Sequence, residues 1–178
     1  MANLAKLYNN PLAIIQKKPD QWQGMIGHTS GGFIKFSSIA YGARAGYINL
    51  VNTYLSRGRN TIASIIPIYA PKGHGANNPT KYIELLSELT GIAPNEKIKP
   101  SQLYKLGLGI ARVETGYNPS ESDMKKGFDL ALERIGIIYT PSSNSGTDDW
   151  TIQKKNINIK IALVLGVGIF LALTKLRG

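Results

Sequence analysis

Glu114 is the carboxylate whose local sequence points most directly to chemistry. It stands in Ala111-Arg112-Val113-Glu114-Thr115-Gly116-Tyr117-Asn118-Pro119, at the C-terminal end of a helical pattern that runs from Leu103 to Val113. None of its neighbours three or four residues away, Ile110, Ala111, Tyr117 and Asn118, is basic, so no local ion pair holds it ionised. The negative end of the helix dipole also disfavours its charge. Both effects predict a raised pKa, the property a general acid needs for glycosidic cleavage. Glycoside hydrolysis normally employs a pair of carboxylates. Glu121 and Asp123 read as first-turn helix acids, and Asp20, beside Pro19, reads as a turn former. Lytic transglycosylation, in which the sugar's own 6-hydroxyl attacks and one carboxylate suffices, is therefore the economical enzymatic reading. The plain alternative is a partly exposed carboxylate at a helix end. Trp22, Tyr69 and Tyr117, with the amides of Asn78 and Asn118, are the candidates for binding a glycan.

Composition narrows the remaining chemistry. The 178 residues include no cysteine and two histidines, His28 and His74. That excludes a disulfide framework, a thiolate nucleophile and a His-rich zinc cage, so neither a metal nor a cofactor is expected. Both histidines lie in Gly-rich turns, and neither Gly31-Gly32 nor Gly73-His74-Gly75 has the spacing of a phosphate loop. The net charge of +10 favours an anionic partner, such as phospholipid headgroups, a cell-wall polymer or nucleic acid. Basic residues are dispersed instead of clustered on one helix, which disfavours nucleic acid.

These residues must be positioned by a body extending over residues 1–140, which carries 16 basic and 9 acidic residues. Met1 to Lys18 lacks an uninterrupted apolar core and a small-residue cleavage site, so it does not read as a secretory signal, and synthesis in the cytoplasm is expected. Residues 141–153 read as a polar, flexible linker, the body giving way to it within Thr140 to Asp149, a run of small polar residues. Residues 154–178 read as a C-terminal transmembrane anchor. Its core, Ile161 to Thr174, has no charge over 14 residues, with Lys154, Lys155 and Lys160 before it and Lys175 and Arg177 after it. Fourteen helical residues rise about 21 Å, short of a bilayer's roughly 30 Å. Ile157 to Leu176 is long enough if Lys160 and Lys175 extend their ammonium groups to the headgroups. Gly166 and Gly168 would allow close helix approach there.

Within the body, Met25 to Phe36 has two short apolar runs around His28-Thr29-Ser30-Gly31-Gly32 and predicts a β-hairpin. The period then becomes helical. Ser37 or Ser38 caps a helix bearing Ala43, Tyr47, Leu50, Val51, Tyr54 and Leu55 on its apolar face, and Gly58 closes it. Asn60 is expected to cap a second helix, interrupted by Pro67. Thr80 caps a third, with Ile83, Leu86 and Leu89 inward and Gly91 at its end. Ser101 caps a fourth, with Leu103, Leu106, Ile110 and Val113 buried. Ser120 or Ser122 opens a fifth, with Phe128, Leu132 and Ile135 inward. The expected fold class is α+β: a mostly helical, lysozyme-like domain with a small β-hairpin, plus a C-terminal transmembrane helix.

Asn10-Pro11, Trp22-Gln23-Gly24, Gly32-Phe33-Ile34-Lys35-Phe36, Gly42-Ala43-Arg44-Ala45, Thr61 to Ile66, Tyr69-Ala70-Pro71, Asn78-Pro79-Thr80-Lys81-Tyr82 and Glu114-Thr115-Gly116 form a series of short motifs. In these the chain resembles a family of bacteriophage virion structural proteins with a lysozyme-like, peptidoglycan-degrading domain. The resemblance covers about residues 9 to 118, in order. Where the family opens Asn-Pro-Gly-Asn-Ile-Arg, this chain reads Asn10-Pro11-Leu12-Ala13-Ile14-Ile15, without the second Asn and the Arg. Glu114-Thr115-Gly116-Tyr117-Asn118-Pro119 is also similar to the Glu-Ser-x-Phe-Asn-Pro phrase around the catalytic acid of lytic transglycosylases, although the later Gly-Leu-Met-Gln element of those enzymes is missing.

Two functions follow from the resemblance and the tail together. One is a membrane-anchored virion protein that cleaves peptidoglycan glycan strands during entry or release, with Glu114 as acid/base. The other is a non-catalytic capsid-to-membrane or vertex structural protein. Both place the chain in the virion of a tailless, lipid-containing phage, with the viral membrane and capsid or vertex proteins as partners, and peptidoglycan for the enzyme.

Overall fold

The computed structural model describes residues 3–16, 22–73 and 77–136. A short helix, α1 (Leu4–Leu7), is capped by Asn3, whose side chain accepts the Lys6 N–H at 3.0 Å. Two antiparallel strands follow, β1 (Met25–His28) and β2 (Ile34–Phe36), paired with a bulge between Met25 and Gly27. The turn is built as its residue types predict, with the Thr29 side chain accepting the Phe33 N–H. On the other edge of β2, Ile15 bridges Phe33, and Ile34 N–H donates to the Ile14 carbonyl, so the N-terminal segment blunts that edge.

Helix α2 (Ile39–Asn49) is capped by Ser38 and runs on through a π-helical turn at Leu50–Tyr54 and a 3-10 turn at Leu55–Arg57 to Gly58, in the left-handed conformation. Eight of the nine positions from Ala40 to Ile48 are buried, Tyr41 being the exception. A helix buried nearly all round must present small residues to its neighbours, and α2 does. Gly42 meets the Asn9 carbonyl and Gly46 meets Leu12. On another side, Gly127 of α6 (Glu121–Ile135) lies against the Ala40 carbonyl and Ala43. Tyr47, fully buried, packs against Gly107 of α5 (Leu103–Thr115) and donates its hydroxyl to the Tyr104 carbonyl at 3.0 Å. Its ring also meets Phe128 edge-on at 4.9 Å. The main core joins α2 to α3 (Ile62–Tyr69), α4 (Pro79–Thr90), α5 and α6; Ile14, Ile34, Phe36 and Ala45 form a smaller cluster beside the hairpin.

Several helix starts differ from the sequence expectation by one or two residues, each for a local reason. Thr61, not Asn60, caps α3, because Thr61 and Ser64 exchange side-chain and backbone hydrogen bonds in a capping box. Pro67 lies inside α3 on its exposed side without ending it. Asn78, not Thr80, caps α4, with Pro79 in the first turn, where its missing N–H costs nothing. Leu89, expected inward, is 41% exposed. Ser101 lies in a 3-10 turn, Pro100–Gln102, and α5 begins only at Leu103.

The expected fold class requires a correction. The described fold is mostly helical with a two-stranded sheet, and no helix among the described residues is long and apolar enough to cross a membrane. α6, of 15 residues, is shorter than the roughly 20 that a span requires, and it carries charges along its length. The linker 141–153, the segment 154–178 and Lys160, Gly166, Gly168 and Lys175 lie outside the described residues.

Candidate functional site

Glu114 sits in the last turn of α5, and its surroundings come from three other elements. α4 supplies Tyr82, whose hydroxyl donates to Glu114 Oε1 at 2.8 Å. α3 supplies Tyr69, whose ring meets that of Tyr82 edge-on with centroids 6.2 Å apart, and whose hydroxyl donates to the Leu12 carbonyl. Tyr54 extends the cluster, 6.1 Å from Tyr69. α1 covers the end of α5: Asn3 Nδ2 donates to the Glu114 carbonyl at 2.9 Å, and Lys6 Nζ lies 4.8 Å above the Tyr117 ring.

Burial raises the pKa of Glu114 above the ordinary carboxylate value, and the Tyr82 hydrogen bond opposes that rise without cancelling it. No charged neighbour takes part in the shift, so desolvation is its principal cause. Burial likewise pushes Tyr69 and Tyr82 well above the ordinary phenol value, and both remain protonated donors. Because the folded carboxyl holds its proton more tightly than the unfolded one, its contribution to stability is present below about pH 4.5. It is lost as pH rises through the raised folded value. Each pK unit of that displacement corresponds to about 1.4 kcal/mol. Glu114→Gln keeps an acceptor for Tyr82 and removes the buried charge. Its thermal midpoint should exceed that of the wild type at pH 7 and match it near pH 4, as scanning calorimetry at the two pH values would register.

The other sequence-derived candidates do not converge on Glu114. Asn78 Oδ1 accepts the Lys81 N–H at 3.2 Å as the α4 cap. Asn118 is exposed in the turn after α5, and Tyr117 lies beneath Lys6. Trp22 donates its Nε1–H to Gln16 Oε1 at 2.8 Å and lines a cleft to which Glu114 does not contribute. His28 is exposed, with Nδ1 2.9 Å from the Thr29 carbonyl. His74 and Asp20 lie outside the described residues. No group of three or more metal-ligating side chains occurs among the described residues.

The cleft, about 500 Å³, opens between the C-terminal end of α6 and the side of α2. Trp22, Ile48 and Ile135 form its apolar wall, and Arg44, Arg134, Asn52 and Gln23 its polar one. Sequence reasoning missed it, because Arg44 and Arg134 are 90 positions apart and each looks like an ordinary helix-surface cation. It also missed Tyr82 as the partner of Glu114, and Asn10, which is fully buried and holds the N-terminal segment to β2. For Asn10 a signal existed in the Asn-Pro pair at the head of the motif series.

No family model matches the chain. Protein P5 of Pseudoalteromonas phage PM2 is 31% identical to it over 126 residues, which cover 68% of this chain and 77% of the relative. This similarity carries the phage part of the resemblance and no lysozyme-like family. The chain therefore belongs to the family of protein P5 of Pseudoalteromonas phage PM2.

Proposed function

We propose that this protein is a non-catalytic structural component of a phage virion, working through the contacts its surface makes. The reading is carried by the state of Glu114. Its carboxylate is engaged by Tyr82 within a packed cluster of tyrosines, and it does not line the cleft described above. A general acid needs a place beside it for the scissile oxygen. The relationship to a phage protein supports a particle setting. The surplus of ten positive charges supports anionic partners, among them the phospholipid headgroups of a viral bilayer, alongside capsid or vertex proteins.

A second reading, peptidoglycan cleavage with Glu114 as acid/base, is favoured by one observation, the upward displacement of the Glu114 pKa. Zymography of the full-length protein on peptidoglycan gels, beside Glu114→Gln, separates the two. The structural reading expects no clearing by either protein. Clearing by the wild type alone establishes the enzyme.

A further inference from the structure

We propose that the cleft between α2 and the end of α6 is a phosphate-binding site, with Arg44 and Arg134 as its ligands. Arg44 is 8% exposed, and among the described residues no carboxylate lies within ion-pair distance of it and no hydrogen bond to its guanidinium occurs. Arginines this little exposed are normally paired, and the Arg44 guanidinium opens instead into the cleft that it lines. Among the charges acting on it, the largest effect comes from another cation. The charge of Arg134 adds to burial in lowering the Arg44 pKa, and Glu133 compensates only in part from outside hydrogen-bonding distance. Two guanidinium groups facing one cavity repel each other until an anion lies between them. Phosphate oxygens match the fork of guanidinium N–H groups in geometry and charge.

The remaining walls define what the phosphate belongs to. Asn52 and Gln23 add amide groups able to bond phosphate or hydroxyl oxygens, while Trp22, Ile48 and Ile135 offer an apolar flank. The volume falls within the roughly 300–1,000 Å³ usual for small-molecule sites, more than an inorganic ion fills. A phosphate ester with a short, partly apolar substituent fits this division. Its source is either a soluble phosphate compound or the headgroup of an anionic phospholipid. The inference concerns binding alone and holds whether or not the chain is a catalyst.

The test uses the full-length protein with Trp150→Phe, which leaves Trp22 as the single tryptophan. Sodium phosphate and glycerol 1-phosphate are titrated against sodium chloride at matched ionic strength, with Trp22 fluorescence as the readout. Vesicles of phosphatidylglycerol and of phosphatidylcholine form the second arm. The site predicts a saturable response to phosphate compounds absent with chloride, weakened at least tenfold by Arg134→Gln. Arg134 is exposed, so this variant should keep the wild-type thermal midpoint; Arg44→Gln is the more drastic companion. Saturation by soluble phosphates without vesicle binding assigns the site to a soluble ligand. Arginine-dependent binding to phosphatidylglycerol vesicles, displaced by glycerol 1-phosphate, assigns it to a headgroup. Absence of a phosphate-specific response in both arms, or a response that neither arginine substitution alters, overturns the proposal.

Discussion

Asn10→Ala should lower the unfolding free energy by about 3–5 kcal/mol. Asn10 is fully buried, and its amide makes three hydrogen bonds with backbone groups. Nδ2 donates to the Ile14 and Ile34 carbonyls, both at 3.0 Å, and Oδ1 accepts the Ile14 N–H at 2.9 Å. One side chain thus closes the turn after α1 and ties it to β2. Alanine would leave the Ile14 N–H and the Ile34 carbonyl without that partner, while the Ile14 carbonyl keeps the Ile34 N–H. Each orphaned buried group costs roughly 1–3 kcal/mol. Against a total stability of about 5–15 kcal/mol, the loss would be visible as a displaced midpoint in urea with little change of slope. Asn10→Asp keeps the acceptor but loses both donors and buries a charge, so it should be at least as damaging at pH 7 and recover in part in acid. A loss below 1 kcal/mol for the alanine variant would mean that Asn10 does not anchor the segment.

Gly42→Ala should cost about 3 kcal/mol, even though alanine is the better helix former by roughly 1 kcal/mol. A Cβ at position 42 would lie 1.9 Å from the Asn9 carbonyl oxygen and 2.9 Å from Pro11 Cδ. Relief would require backbone movement, because the first obstacle is itself backbone. That backbone is held, by the Asn9 side chain to the Phe36 carbonyl at 3.1 Å and by the Asn10 bonds. The close approach of α2 to the N-terminal segment would have to open, taking Leu12 away from Gly46. Gly31 is the matched control: it is exposed in the hairpin turn, nothing but Thr29 Oγ1 at 3.8 Å is near its would-be Cβ, and alanine there should change stability by less than about 0.5 kcal/mol. Equal effects at the two positions, measured by chemical denaturation, would contradict the packing account.

Both predictions fall on residues of the motif series read from the sequence, Asn10-Pro11 and Gly42-Ala43-Arg44-Ala45. Their spacing suggested a family but not a role, and the loss of the second Asn and the Arg argued against ligand contacts at that end. In the fold these positions do two different things. Asn10 and Gly42 join the N-terminal segment to the sheet and to α2, whereas Arg44, two residues after Gly42, turns to the cleft. A motif of consecutive residues on a buried helix faces several neighbours at once, since each residue advances about 100° around the axis.

Local chemistry was enough for the elements whose signals lie within a few residues of one another. The hairpin around Thr29, the long helix from Ser38 to Gly58, the stop at Gly91 and the cap at Ser120 all follow from turn types, side-chain caps and left-handed glycines. The raised pKa of Glu114 was also foreseen, though for an incomplete reason: the helix end and the lack of basic neighbours were legible, while burial beside Tyr82 of α4 was not. What only the tertiary structure decided is which distant groups share a space. Tyr82 reaches Glu114 across 32 positions, Asn10 reaches Ile34 across 24, and Arg134 comes to face Arg44 across the cleft. Periodicity tells which side of a helix is apolar, but the pairing of one side with another depends on crossing positions set by small residues such as Gly42, Gly107 and Gly127, whose effect exists only once two backbones meet.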